Sequence, residues 1–315
     1  MALPAAFHPL TPVPWLRDDL GLGCAPIGNL FTPVADDDAV ATVHAALDAG
    51  VRFFDTAPLY GSGESERRLG LALQGVPRDS YALGTKVGRL LVDAAGSTVA
   101  PGSVGRDSVA DLSRDAVWRS LESSLALLGT DRVDVLYLHD PLDVDAALSG
   151  ALTAMTELRE QGVVRAIGIG NGVLPVLERY AAEAPVDVLM EAGRLTLIDR
   201  GAQERLMPLA AERGISIVAA GVFNSGILVD PEGSPFFDYR RADDVLIERA
   251  LRMRDVCASH GATLADAAVQ FPLRHGADGV VVGARTPEEV LAFVRGRDAA
   301  IPDELWSALD EVVAA

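Results

Sequence analysis

The sequence predicts an α/β protein, a closed (β/α)8 TIM barrel with long loops at the C-terminal face. Three observations predict it. Eight short apolar runs recur through the 315 residues, amphipathic helical stretches separate most of them, and no Ser/Gly-rich linker or shift in composition divides the chain. Residues 1–315 therefore read as a single barrel domain, a length that one large α/β barrel fills. The runs are rich in Val, Ile, Leu and Ala rather than alternating with polar residues, as strands of a parallel sheet buried on both faces are.

The runs, in order, are residues 20–23, 51–54, 81–84, 133–138, 164–168, 186–190, 215–219 and 279–282. Between the first two, residues 36–49 carry Val40, Val43, Ala46 and Leu47 at helical spacing and stop at Gly50. Residues 113–128 repeat the pattern with Val117, Leu121, Ser124, Leu125 and Leu128, stopped by Gly129. Residues 142–160, 173–184, 203–212 and 245–259 read the same way, and strand–helix repetition of this kind builds βαβ units. After the last run comes a helix that Thr286 and Glu289 would open as a capping box, with Pro287 at its first position. Residues 299–313, with Ile301, Leu305, Leu309 and Val312 on one stripe, predict a helix on the barrel exterior. Two insertions, 90–112 and 222–243, are long enough to be lids or substrate walls.

Composition narrows the function classes. Twenty-seven Lys and Arg against 45 Asp and Glu give a formal charge of -18, so the surface repels phosphate backbones and anionic lipid. Nucleic-acid and membrane-surface roles are not expected, and no apolar run approaches the roughly 18 residues of a membrane span. Cys24 and Cys257 are too few for a disulfide framework or a structural zinc site, and Cys24 reads as a small buried hydrophobe. His44, His260 and His275 have no metal-ligand spacing. Residues 1–15 lack a basic segment followed by an apolar one, so a cytoplasmic protein is expected. Gly21-Leu22-Gly23 and Gly168-Ile169-Gly170 lack the third glycine of a dinucleotide fingerprint, which argues against an open Rossmann sheet.

The chemistry is positional. Asp55 follows the second run, Lys86 the third and His139 the fourth, while Tyr60 lies five residues past Asp55. In a barrel these strand ends share the face where such folds do chemistry. A phenol with an ordinary pKa near 10 is too weak an acid for work at neutral pH. Lowering it by about 2–3 units takes roughly 3–4 kcal/mol of preference for phenolate. A lysine cation about 4 Å away supplies about 4 kcal/mol at an effective dielectric of 20. Asp55 would keep a buried Lys86 charged, and His139 would hydrogen-bond the reacting oxygen. None of these groups accepts hydride, so a redox reaction needs a cofactor.

The run from Gly50 to Gly61 (GVRFFDTAPLYG), the segment Thr85-Lys86-Val87-Gly88 and the segment Leu138-His139-Asp140 resemble the aldo-keto reductase superfamily, and the likeness extends from Gly21 to about Phe293. It implies a (β/α)8 barrel that binds NAD or NADP without a Rossmann domain. It also implies a catalytic tetrad of Asp55, Tyr60, Lys86 and His139, with the tyrosine giving or taking the proton. His139-Asp140-Pro141, Arg194-Leu195-Thr196-Leu197 and the segment from Gly221 to Leu228 resemble the branch of L-fucose, D-threo-aldose and pyridoxal dehydrogenases, which oxidise a cyclic hemiacetal to a lactone.

The same resemblance places the cofactor. Gly170-Asn171 would hold the nicotinamide carboxamide, and Gly221, Phe223, Asn224, Ser225, Gly226 and Leu228 would wrap the pyrophosphate. Gly283, Arg285, Thr286 and Glu289 would take the adenosine end, where a helix start after the eighth strand is a usual phosphate site. The sequence departs from the family at Gly170 (usually serine), at Leu195 (often an aromatic ring over the nicotinamide), and at Ala292 and Phe293 (usually a carboxylate and an asparagine for adenine). Arg285 is the one cation expected at the 2′ end, beside Glu288 and Glu289, which favours NAD over NADP. The expected partner is a small carbonyl or sugar-like molecule. Ordinary aldehyde or ketone reduction, and a cofactor-sensing regulatory subunit with weak catalysis, are the alternatives.

Overall fold

The computed structural model describes residues 20–92 and 107–314. In chain order the elements begin with β1 (Leu20–Gly23), α1 (Asp36–Asp48), β2 (Phe53–Asp55), α2 (Glu64–Ala72), β3 (Ala82–Val87), β4 (Arg89–Val92), β5 (Asp107–Ala110) and α3 (Arg114–Leu128). There follow β6 (Val135–His139), α4 (Val144–Ser149), α5 (Ala151–Glu160), β7 (Ala166–Asn171), α6 (Leu174–Glu183), β8 (Val188–Ala192), α7 (Leu206–Arg213) and β9 (Ser216–Ala220). The chain then forms β10 (Phe236–Phe237), β11 (Arg240–Arg241), α8 (Asp244–Ser259), α9 (Leu264–Arg274), β12 (Gly279–Gly283), α10 (Pro287–Asp298) and α11 (Asp303–Ala314).

Eight of the strands close into a parallel barrel in the order β1-β12-β9-β8-β7-β6-β3-β2. Gly21 lies opposite Phe53, Phe53 opposite Ala82, and Leu20 opposite Val280 where the barrel closes. All eight predicted runs are barrel strands. Several continue one to three residues further than the apolar run, so Asp55, Lys86 and His139 are strand residues rather than the first residues after them.

The barrel interior is filled by Phe53, Ala82, Val135, Tyr137, Ala166, Val188, Met190, Val218 and Val281. Glycines leave room for its largest members: a Cβ on Gly21 would lie 2.7 Å from the Phe53 ring, and one on Gly168 would lie 2.9 Å from the Tyr137 ring. A second, larger apolar layer lies between the sheet and the helices. Helix α1 opens on Asp36, Asp37 and Asp38, which suit the positive end of its dipole, and buries Ala39, Val43 and Ala46. Helix α3 is capped by the Ser113 side chain and ends at Gly129 with φ +64°.

Three differences from the predicted elements have physical causes. The stretch predicted as one helix over 142–160 is two, α4 and α5, parted at Gly150 (φ -116°, ψ -86°), where a Cβ would sit 2.3 Å from the Leu112 carbonyl oxygen. Helix α2 shows no apolar stripe because much of its buried face is polar: Ser65, Glu66 and Arg68 beside Leu69. Helix α9 was also not anticipated, although Thr263 and Asp266 form a full capping box at its start.

Of the first insertion, β4 and β5 pair as an antiparallel hairpin at its two ends, and residues 93–106 lie outside those described. The second carries a 3-10 turn over Asn224–Gly226 and the small hairpin β10–β11. Helix α11 buries Leu305, Trp306 and Leu309 and packs on α8, on the barrel exterior as predicted. Among the described residues no helix is long and apolar enough to cross a membrane, and no His, Cys, Asp and Glu cluster could hold a metal ion.

Candidate active site

The C-terminal ends of β2, β3 and β6 bring the predicted acid, amine and imidazole together. The Lys86 ammonium donates to Asp55 Oδ2 at 2.5 Å and to the Thr56 carbonyl oxygen at 2.9 Å, and both charged side chains are buried. The ammonium lies 4.9 Å from the centre of the Tyr60 ring and 5.7 Å from that of Tyr137 beneath it. The His139 ring meets Tyr60 edge-on, with centroids 5.6 Å apart and planes at 88°.

Tyr60 is not on a strand, and a close backbone approach fixes it. It begins a tight turn whose next residue, Gly61, has φ +63°. A Cβ on Gly61 would lie 2.2 Å from the Gly28 carbonyl oxygen, and one on Gly28 would lie 2.9 Å from the Tyr60 carbonyl. The loop after β1 thus seats the turn after β2, and only glycine allows the contact.

Burial decides the electrostatics. It disfavours the Lys86 ammonium, yet Asp55 and then Tyr60 hold that group above the ordinary lysine value, so it stays charged. Burial also pushes the Tyr60 phenol up to about 12, outweighing the opposing pull of Lys86. The expected depression of this phenol by lysine is therefore corrected. Lysine acts in the expected direction, but desolvation of a phenolate costs more than one already paired ammonium returns. Burial lowers His139 well below its ordinary value, with Lys86 and Arg89 adding to the effect, so the imidazole is neutral at neutral pH.

From this cluster a cleft of about 2390 Å³ runs past Gly170 and Asn171, along Gly221, Phe223, Asn224, Ser225 and Gly226, to Gly283, Arg285 and Glu289. An elongated dinucleotide fits this path on three observations. A Cβ on Gly170 would have Lys86 Cε as its nearest neighbour, at 3.8 Å, so the serine-to-glycine change leaves open space beside the amine. Asn224 is buried on the cleft, its amide donating to the Gly193 carbonyl oxygen at 3.1 Å while Oδ1 lacks a partner among the described residues. Arginines stand at the far end, where negative charge would need them.

Other predicted contacts are placed differently. Leu228 is fully buried in the core and Thr286 is spent as the N-cap of α10, so neither lines the cleft. Leu195 is likewise buried away from it, and Met190 and Arg194 line that stretch of the wall instead. Glu289 does not complete a capping box. Its carboxylate turns back to the Arg285 backbone N–H at 2.7 Å and to the guanidinium at 2.6 Å. Asn171 lines the cleft with its Oδ1 engaged by the Val173 N–H at 2.8 Å. Ala292 and Phe293 do lie at the far end, joined there by Arg295, so Arg285 is not the only cation.

The wall also takes in Phe31, Arg89 and Asp140, which the sequence did not mark out as wall residues, and Tyr239, from the 222–243 insertion expected as a substrate wall. One signal unites much of the wall. Eight described non-glycine residues have positive φ, namely Asn29, Phe31, Ser62, Asp140, Asn224, Ser225, Asp238 and Tyr239, and every one of them lines the cleft. Such backbone is strained and concentrates at working sites. Asn and Asp tolerate it best, which gives Asn29, Asp140, Asn224 and Asp238 a faint sequence signature.

Comparison with known proteins agrees with this geometry. The model of the aldo/keto reductase family matches residues 19–314. A D-threo-aldose 1-dehydrogenase from a Pseudomonas species is 41% identical over 307 residues, 93% of each chain. A pyridoxal 4-dehydrogenase from Microbacterium luteolum is 38% identical over 316 residues, 92% of each. Among solved structures, an aldo-keto reductase from Bacillus halodurans in its holo form superposes with a TM-score of 0.76 at 26% identity, covering 93% of this chain and 91% of its own.

Proposed function

The chain belongs to the aldo/keto reductase family of oxidoreductases, and from that premise we propose that it oxidises the cyclic hemiacetal of an aldose or a pyridoxal-like molecule to a lactone, with NAD as hydride acceptor. The observation that carries the proposal is the meeting of Asp55, Tyr60, Lys86 and His139, from one turn and three consecutive strands, at one end of the cleft.

A lactol presents both a hydroxyl proton and a hydride-bearing carbon. When bound, an oxidised nicotinamide supplies the hydride acceptor and a positive charge. Oxidation needs Tyr60 as the phenolate, a form that Lys86 and the positive charge of a bound oxidised nicotinamide would both favour; its Oη then takes the hydroxyl proton as the carbon gives up its hydride. Asp55 keeps Lys86 protonated, and neutral His139 offers a hydrogen bond to the substrate oxygen without adding a charge. The same groups run the reverse reaction with Tyr60 as proton donor. The protonated state of Tyr60 across the neutral range supports carbonyl reduction as a second reading.

The preference for NAD rests on Arg285. Glu289, in the first turn of α10, already pairs with its guanidinium, so a 2′-phosphate would meet a carboxylate as well as a cation.

Absorbance of the reduced nicotinamide, followed with both cofactors against aldoses, pyridoxal and simple aldehydes, tests the reading. Tyr60→Phe is expected to lower turnover by about 10²–10⁴-fold, the usual contribution of one acid–base group, while nicotinamide affinity stays within about threefold. Turnover retained by that variant would falsify the assignment.

A further inference from the structure

At the substrate end of the cleft the charges cancel in pairs. Lys86 is matched by Asp55 at 2.5 Å, and the His139 ring is neutral. Among the described residues Arg89 also lines the cleft; it is the first residue of β4, and its Nε donates to Ser108 Oγ at 3.0 Å on the paired strand β5. It follows Val87 by two residues as Asp140 follows Leu138, and Val87 and Leu138 are paired in register across β3 and β6; its charge favours the ionised form of Asp140 against the effect of that carboxyl's burial. Asp140 follows His139 directly. Its backbone has φ +47°, fixed by donation of its N–H to the Gly170 carbonyl oxygen at 2.8 Å, and its Oδ2 lies 3.9 Å from His139 Nε2. Half of the Asp140 side chain is exposed, and it lines the cleft. Tyr239 lines the same cleft, its ring stacked on Phe31 with centroids 6.0 Å apart.

We propose that Arg89 and Asp140, under the Tyr239–Phe31 aromatic wall, form a hydroxyl-reading subsite that selects a neutral polyol ring and rejects phosphorylated or carboxylated ones. The inference rests on the dehydrogenase reading above and names its substrate class. A guanidinium offers donors and a carboxylate offers acceptors, and neighbouring ring hydroxyls supply both. Aromatic faces take the apolar C–H face of such a ring. An anionic substituent near Arg89 would also meet Asp140, with its own charge set against that carboxylate.

The test compares the full chain and two variants on neutral aldohexoses against their 6-phosphates, which keep the same pyranose ring, by nicotinamide absorbance. The wild-type chain is expected to favour the neutral member by at least about 100-fold in kcat/KM, since like-charge juxtaposition strongly suppresses wrong partners. Asp140→Asn is expected to move the two substrates in opposite directions, worse on the neutral ring and better on the phosphate, shrinking the preference by at least about tenfold. Arg89→Gln is expected to raise KM for neutral aldoses by roughly tenfold with a smaller change in kcat. Turnover without discrimination between the members of a pair overturns the subsite alone, as does Asp140→Asn lowering both members alike, which is what disturbance of His139 would produce. Absence of nicotinamide-coupled turnover on every substrate overturns the dehydrogenase reading as well.

Discussion

The two ends of the barrel use the same residue type for opposite purposes. At the N-terminal end, Asp134, Asp187 and Asp278 stand just before β6, β8 and β12, and each accepts a backbone N–H from the neighbouring strand: Leu83 at 2.9 Å, Ile167 at 2.8 Å and Ile217 at 2.8 Å. Arg78 and Arg165 also bind Asp134, and Arg159 binds Asp187. Towards the C-terminal end, Asp55 Oδ1, Glu66 Oε2 and Glu191 Oε1 are buried without a partner among the described residues. A carboxylate at a strand's start closes hydrogen bonds and pins register, whereas Asp55 and Glu191 on strands and Glu66 on α2 each keep one buried oxygen unengaged. Stability concentrates below and reactivity above, as this barrel architecture commonly divides them.

The sharpest way to break that contrast is a pair of substitutions, one at each end. Lys86→Met is expected to lower turnover by about 10³-fold, because Tyr60 loses the cation that stabilises its phenolate. Asp134→Ala is expected to leave kcat within about twofold while costing about 3–5 kcal/mol of stability, since Arg78 and the Leu83 N–H lose a buried partner. Steady-state rates and chemical denaturation of both variants decide the matter. A large rate loss with intact stability in Asp134→Ala would erase the distinction.

A smaller effect should appear in the pH dependence of stability. Burial pushes Glu66 up to about 7 and Glu191 up to about 8, from an ordinary 4.5. The folded protein therefore keeps protons that the unfolded chain has released. The stability these groups contribute is complete below about 4.5 and is lost as pH rises through about 7 and 8. Calorimetry should find the melting temperature falling by roughly 5 °C or more between pH 5 and pH 9, with Glu66→Gln flattening the slope. A slope unchanged in that variant would remove Glu66 from the account. The smallest effect belongs to Glu289→Gln, which frees Arg285 and should raise NADP affinity relative to NAD by about fivefold, measured by fluorescence titration.

Much of this organisation was legible in the sequence. The barrel strands are short buried apolar runs, and Asp55, Lys86 and His139 could be found because a strand's end is a position as well as a residue. What escaped was settled by contacts between distant segments. The break at Gly150 depends on the Leu112 carbonyl, and the polar buried face of α2 depends on Thr85, which donates to Glu66 at 2.7 Å. Arg89, Asp140 and Tyr239 come from three segments far apart in the chain, so no spacing announces that they line one cleft. The weak acidity of Tyr60 escaped for a related reason. The sequence supplied a lysine, and only the fold supplied the depth of burial. Helix α9 is the exception, because Thr263 and Asp266 signal its start from the sequence alone.

The contact between Gly28 and Gly61 joins the loop after β1 to the turn that bears Tyr60. A single added methyl at either residue would shift the phenol while touching no reacting atom. That corner is closed to mutational drift, and new substrate ranges must be sought by altering the β10–β11 hairpin and its neighbours, which can vary without moving Tyr60.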